Sequence, residues 1–163
     1  MRSRAALGNH PIHPMLVPIP IGAFALALVG DIAYASSGIY FWYAFAFVSM
    51  GIGILGMVLA APFGFADFLS IPRGTQAKRT ASVHLFVNLT ALLLYAVNWL
   101  MRRGGAAAGD ETWPLAFLLE VFTFVALAIS GWLGGRLVFE EKVGVPDAAS
   151  ETRPAGRPVD RHA

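Results

Sequence analysis

Three histidines, His10, His13 and His84, are the residues of this 163-residue chain whose type and surroundings best suit chemistry. Neutral imidazole is a ligand for zinc, copper, iron and nickel, and two imidazoles from different helices can hold a haem axially. His10 and His13 stand in GNHPIHPMLVPIPIG, which runs from Gly8 to Gly22. Prolines 11, 14, 18 and 20 each remove a backbone N–H, fix φ and push the preceding residue toward extended geometry. The expectation is a stiffened, partly non-helical mouth to an apolar segment. His84 opens a polar series with Asn88, Tyr95 and Asn98 at offsets of 4, 11 and 14, all close to whole helical turns.

These residues admit three chemistries. In the first, His13 and His84 hold a haem b or a divalent transition metal, with His10 as substitute, Asp67 as ligand or orienter, and Asn88 and Arg136 in support. HPIHP is not an established ligand spacing, so the motif alone does not select this reading. In the second, Asp31, Glu120 and Asn98 handle protons or ions, which requires the two carboxylates to approach each other; otherwise each is a solvated helix end. In the third, the histidines bond exposed carbonyls and glue helices together, and Asp67 pairs with Arg136. Serines 36, 37, 49, 70, 82 and 130 have no glycine elbow, and no phosphate-binding loop or zinc-protease pair occurs, so an enzyme is the less favoured class.

The elements that must position these groups are membrane spans. Mean hydropathy is +0.62 and only 13% of residues are charged, against roughly 25% in soluble domains. A net charge of +2 is too small and scattered for a nucleic-acid protein. The absence of cysteine excludes disulfides and thiolate metal sites. Four apolar runs are expected at about 15–35, 41–65, 81–101 and 113–139, behind a Pro/His-rich segment 1–14 and before a tail, 146–163, expected to be disordered. No signal-peptide cleavage box follows the basic N-terminus, so the first run reads as a retained span. Gly131 and Gly135 form a GxxxG pair suited to close helix contact, and Ser49 and Gly53 form another small-residue pair.

Counting lysine and arginine orients the spans. Ten of the twelve basic residues fall on the side of the N-terminus, the second loop and the tail; only Arg102 and Arg103 fall opposite. The positive-inside rule then puts both termini in the cytoplasm. His10, His13, Asp67, His84, Asn88 and Arg136 share the cytoplasmic layer, and Asp31, Asn98 and Glu120 the other.

GNHPIHPMLVPIPIG, AAPFGFAD, the His84 to Asn98 stripe and GWLGGRLV together resemble the bacterial membrane family called domain of unknown function 2231. The likeness covers about Asn9 to Val145, with the HPxHP opening and GWLGG close as its more specific parts. Family members look commonly to carry glycine directly before the first histidine, whereas here Asn9 stands between Gly8 and His10. The resemblance implies a small four-helix inner-membrane protein. Relatives joined to cytochrome-type modules imply a redox role. The expected fold is therefore an all-α integral membrane four-helix bundle in the lipid bilayer, with a cytochrome or other redox protein, or a second copy, as partner.

Overall fold

The computed structural model describes residues 3–8, 10–103 and 112–145. The chain is all-α, with four helices long and apolar enough to cross a membrane: Ile12–Ser37, Tyr40–Ser70, Gln76–Arg103 and Trp113–Phe139. Ahead of them, strands β1 (Ala6–Leu7) and β2 (His10–Pro11) form a two-residue antiparallel pair. The first span has two segments, α1 (Ile12–Leu16) and α2 (Pro18–Ser37); the others are α3 (Tyr40–Ser70), α4 (Gln76–Arg103) and α5 (Trp113–Phe139). The segment 104–111 and the tail 146–163, with its expected disorder, lie outside the described residues.

The mouth is more helical than its prolines suggest. Pro11 is extended (φ −62°, ψ 127°), and the helix starts immediately after it. Pro14 falls in the first turn, where its missing N–H has no helical partner to lose. Val17 keeps helical angles (φ −55°, ψ −35°), and its N–H reaches the His13 carbonyl at 3.1 Å; Ile21 N–H reaches the Val17 carbonyl at 3.3 Å. The residues between prolines thus carry the ladder that Pro18 and Pro20 cannot, and His13 belongs to the first span. At the other end Gly38 closes α2 with φ 66°, its N–H on the Tyr34 carbonyl at 2.8 Å. That left-handed position suits glycine because it has no Cβ to clash.

α3 continues through Pro62 and past Asp67 to Ser70. α4 starts at Gln76, where the Thr75 hydroxyl accepts the Lys78 N–H at 3.1 Å, an N-terminal cap. α2 packs on α3 and α4 on α5; the two hairpins meet along α3–α4 and α5–α2, leaving α2 and α4 diagonally opposed. Outward residues such as Leu26, Leu59, Leu93 and Phe122 are more than half exposed and uncharged, the face that lipid requires. Phe24, Ala27, Met50, Tyr95 and Leu127 fill the centre. Gly53 is a packing glycine, since a Cβ there would stand 2.5 Å from the Phe24 ring. The expected contact at Gly131 and Gly135 is corrected: a Cβ at either would meet nothing within 4 Å, because both face outward along a groove with Trp132 and Phe139. The packing glycine of that run is Gly134.

The two hairpins share one plan. His13, Pro20, Phe24, Ala27 and Asp31 stand 71 residues before His84, Ala91, Tyr95, Asn98 and Arg102. Ala46, Met50, Gly53, Ala60 and Gly64 precede Ala116, Glu120, Thr123, Ser130 and Gly134 by one residue fewer. Two of these matched pairs meet their own equivalents: Phe24 stacks on Tyr95 with ring centroids 3.7 Å apart and planes 7° from parallel, and Asp31 binds Arg102. Equivalent residues can touch only at the axis relating them, so an approximate two-fold runs along the bundle and exchanges the diagonal helices.

Candidate functional site

Polar side chains gather in two layers, one at each end of this axis. In the first layer the histidines are placed equivalently. His13 Nδ1 lies 3.1 Å from the Ala60 carbonyl, and His84 Nδ1 lies 2.8 Å from the Ser130 carbonyl. A carbonyl oxygen only accepts, so in both rings Nδ1 carries a proton, and the neutral ring then has its lone pair on Nε2. One turn beyond each carbonyl is a glycine that gives the ring room: a Cβ on Gly64 would lie 2.7 Å from His13 Cε1, and one on Gly134 would lie 3.1 Å from His84 Cε1. Both rings are half-buried.

The surroundings of the two rings differ at one residue. Asn88 Nδ2 lies 3.1 Å from His84 Nε2 and also reaches the His84 carbonyl at 2.9 Å and Ser130 Oγ at 2.8 Å. Its equivalent beside His13 is Val17, which offers no polar atom.

The other residues expected at this end are placed elsewhere. His10 is exposed in β2, opposite Leu7. Asp67 Oδ1 accepts Ser3 Oγ at 2.6 Å, Arg4 N–H at 2.9 Å and Ala5 N–H at 3.4 Å, which clasps the N-terminal segment to the end of α3. The expected Asp67–Arg136 pair is corrected: Arg136 bonds Glu140 at 3.0 Å on its own helix, in a partly exposed i,i+4 pair. Among the described residues, no three His, Asp or Glu side chains converge to hold a metal ion.

The second layer also corrects an expectation. Asp31 and Glu120 are fully buried, not solvated helix ends. Arg102 joins them: Nη1 donates to Asp31 Oδ1 at 2.8 Å, Nη2 donates to Asp31 Oδ2, and Nη2 also donates to Glu120 Oε2 at 2.9 Å. Arg102 Nε donates to Asn98 Oδ1 at 2.8 Å, while Asn98 Nδ2 donates to the Ala116 carbonyl at 2.8 Å. The Tyr43 hydroxyl donates to the Arg102 carbonyl at 3.1 Å. One guanidinium thus ties α2, α4 and α5 together inside the bundle, with α3 holding its backbone. Sequence reasoning had counted Arg102 only as a loop charge. Its signal was the 71-residue spacing to Asp31, which pairs opposite charges at equivalent positions.

A family model described as "Predicted membrane protein (DUF2231)" matches residues 9–147, and the chain belongs to that family. No curated protein and no solved structure matches it.

Proposed function

We propose that this multi-pass membrane protein is a non-enzymatic electron carrier in which the imidazoles of His13 and His84 would hold a haem b. The supporting observation is the equivalence of the two rings. Each comes from one of two diagonally opposed spans, uses Nδ1–H on a backbone carbonyl of the facing helix and is seated on a glycine; each would offer Nε2 as the ligand atom, His84 by releasing the Asn88 amide. A carbonyl partner on the far nitrogen orients an imidazole ligand and raises its basicity. Helix-bundle cofactor sites are built in this way, from inward side chains of facing helices. The donor set suits a group that takes two axial ligands better than a metal ion, which takes four or more. When bound, the haem supplies a one-electron couple. The chain's own residues orient the ligands, and Asn88 adds a polar neighbour on the His84 side only. A cytochrome or other redox protein is the partner class this reading calls for.

The same reading places the protein in a bacterial inner membrane with both termini in the cytoplasm, so the histidine layer lies near the cytoplasmic face. Burial of Arg102 inside the bundle leaves Arg103 as the exposed basic residue at the opposite end of α4, which sharpens the charge asymmetry.

The test is a visible absorption spectrum of detergent-purified protein expressed with haem supplied, oxidised and then reduced. A Soret band with sharp reduced bands is expected in the parent protein, and its loss is expected in His84→Ala and in His13→Ala. A colourless parent protein, or an unchanged spectrum in either variant, refutes the assignment.

A further inference from the structure

We infer that Glu120 is a proton-binding group inside the bundle, with the buried Tyr95 hydroxyl as its electrostatic neighbour. The inference concerns the opposite end of the axis from the histidines and does not rest on a haem.

Charge counting comes first. Asp31, Arg102 and Glu120 are 0–2% exposed, and one guanidinium faces two carboxyl groups. Were both carboxyls ionised, the set would hold one uncompensated negative charge in the buried interior of the bundle. An isolated buried carboxylate loses its hydration without compensation, and such a group takes up a proton instead. The geometry assigns that proton. Asp31 is bound through both oxygens by the two Nη atoms, which is the bidentate match for an ionised carboxylate. Arg102 binds Glu120 through Oε2 only, Oε1 is buried without a hydrogen-bond partner, and the Asp31 carboxylate lies close enough to share a proton with Glu120.

Tyr95 supplies the second observation. Its hydroxyl is also buried without a partner, two turns inward from Arg102 on the same face of α4, within electrostatic range of Glu120. A protonated Glu120 presents an O–H donor where an ionised one presents only acceptors, and a phenol oxygen can both accept and donate. The carboxyl O–H and the phenol are thus two unpaired polar groups in the same buried region, and replacing the phenol changes the field at the carboxyl. The titratable groups around Glu120 are Asp31 from α2 and Tyr95 and Arg102 from α4, while Tyr43 of α3 bonds the Arg102 carbonyl. Glu120 lies seven residues inside the start of α5 at Trp113, about 10 Å at 1.5 Å per residue, so the site is near one face of the bundle.

The two-fold supplies a third. The position equivalent to Glu120 on α3 is Met50, fully buried and apolar. The fold thus accommodates an apolar side chain at this place in one hairpin, and the carboxyl in the other is an addition to packing.

Infrared spectroscopy of the full chain reconstituted in lipid at neutral pH tests this. The expected result is a C=O stretch of one protonated carboxyl group per chain, shifted in heavy water. It is lost in Glu120→Gln, retained in the exposed control Glu140→Gln, and moved in frequency in Tyr95→Phe. Should Glu120→Gln not fold, Glu120→Met, which copies the equivalent residue, gives the same readout. A parent protein without the band, or a band that survives replacement of Glu120, overturns the proton assignment. An unmoved band in Tyr95→Phe overturns the assignment of Tyr95 as its electrostatic neighbour.

Discussion

Replacing Arg102 with methionine removes the cation from the second layer. The change deletes four side-chain hydrogen bonds, one to Asn98, two to Asp31 and one to Glu120. Removing one partner of a buried ion pair costs about 3–5 kcal/mol, because the remaining charge keeps its desolvation penalty. Against a total stability of roughly 5–15 kcal/mol, that is a large fraction. The two-fold makes a sharper statement possible. Exchanging residues between equivalent positions, as Asp31→Arg, Met50→Glu, Arg102→Asp and Glu120→Met together, rebuilds the same trio in its two-fold-related setting, with the cation on α2 and the second carboxyl on α3. The exchanged arginine then neighbours Ala27 where Arg102 has Asn98, so it lacks one hydrogen bond, worth about 1 kcal/mol net. Unfolding in mixed micelles of rising dodecyl sulfate fraction, followed by far-ultraviolet circular dichroism, measures each variant. Arg102→Met is expected to unfold at a much lower fraction than the parent, and the fourfold variant to recover most of that loss. A fourfold variant no more stable than Arg102→Met refutes the two-fold argument, and an Arg102→Met protein as stable as the parent refutes the burial of the trio.

Two further outcomes follow from the same geometry. Gly64→Ala and Gly134→Ala press a methyl group on His13 and His84 respectively, at 2.7 and 3.1 Å, so each is expected to cost about 1–3 kcal/mol by overpacking, with Gly64→Ala the worse; thermal unfolding in detergent reports the order. Because the chain has no native cysteine, single-cysteine variants give a clean topology map: Thr75→Cys, in the turn before α4, should react with a membrane-impermeant maleimide only when the cytoplasmic face is opened, and Gly38→Cys only from outside. Labelling with the opposite sidedness refutes cytoplasmic termini.

The spans were legible because lipid imposes a length and a composition, and both are written in the sequence as apolar runs bounded by Gly38 and the basic turn before α4. The polar stripe from His84 to Asn98 was legible for the same reason, since period fixes a face. What could not be read was which face meets which partner. Asp31 and Glu120 lie near helix ends, where hydropathy is equally consistent with water or with an ion pair. Only diagonal packing of α2 and α4 brings Arg102 to them. Asp67 was assigned to the histidine layer by depth alone, whereas its carboxylate is used by backbone N–H groups of residues 4 and 5, which apolar patterning does not encode. The proline-rich mouth misled in another way. Proline forbids its own hydrogen bond but not those of its neighbours, and Val17 and Ile21 supply enough of the ladder to keep His13 helical.

The pattern of matched and unmatched residues along the axis has a physical logic. Two identical hairpins related by a true two-fold would place Asp31 against a second Asp31, and two buried carboxylates repel. Joining the hairpins in one chain lets equivalent positions diverge, so Asp31 meets Arg102 and a charge pair forms where symmetry alone would forbid it. Partial divergence is seen at the centre, where Phe24 meets Tyr95 as one stacked aromatic pair, differing by a single hydroxyl. At the histidine end the pair is unchanged, His13 with His84, each on its carbonyl and its glycine. A group that binds two like donors on opposite sides needs the two positions to stay the same, just as an ion pair needs them to differ. On the proposed function, identity at the histidine end is what a ligand held from both sides would need, while opposition at the other end serves the buried charge pair. On that logic, His13→Ala and His84→Ala should have equal effects on the spectrum, whereas Met50→Ala and Glu120→Ala should have unequal effects on the infrared carboxyl band.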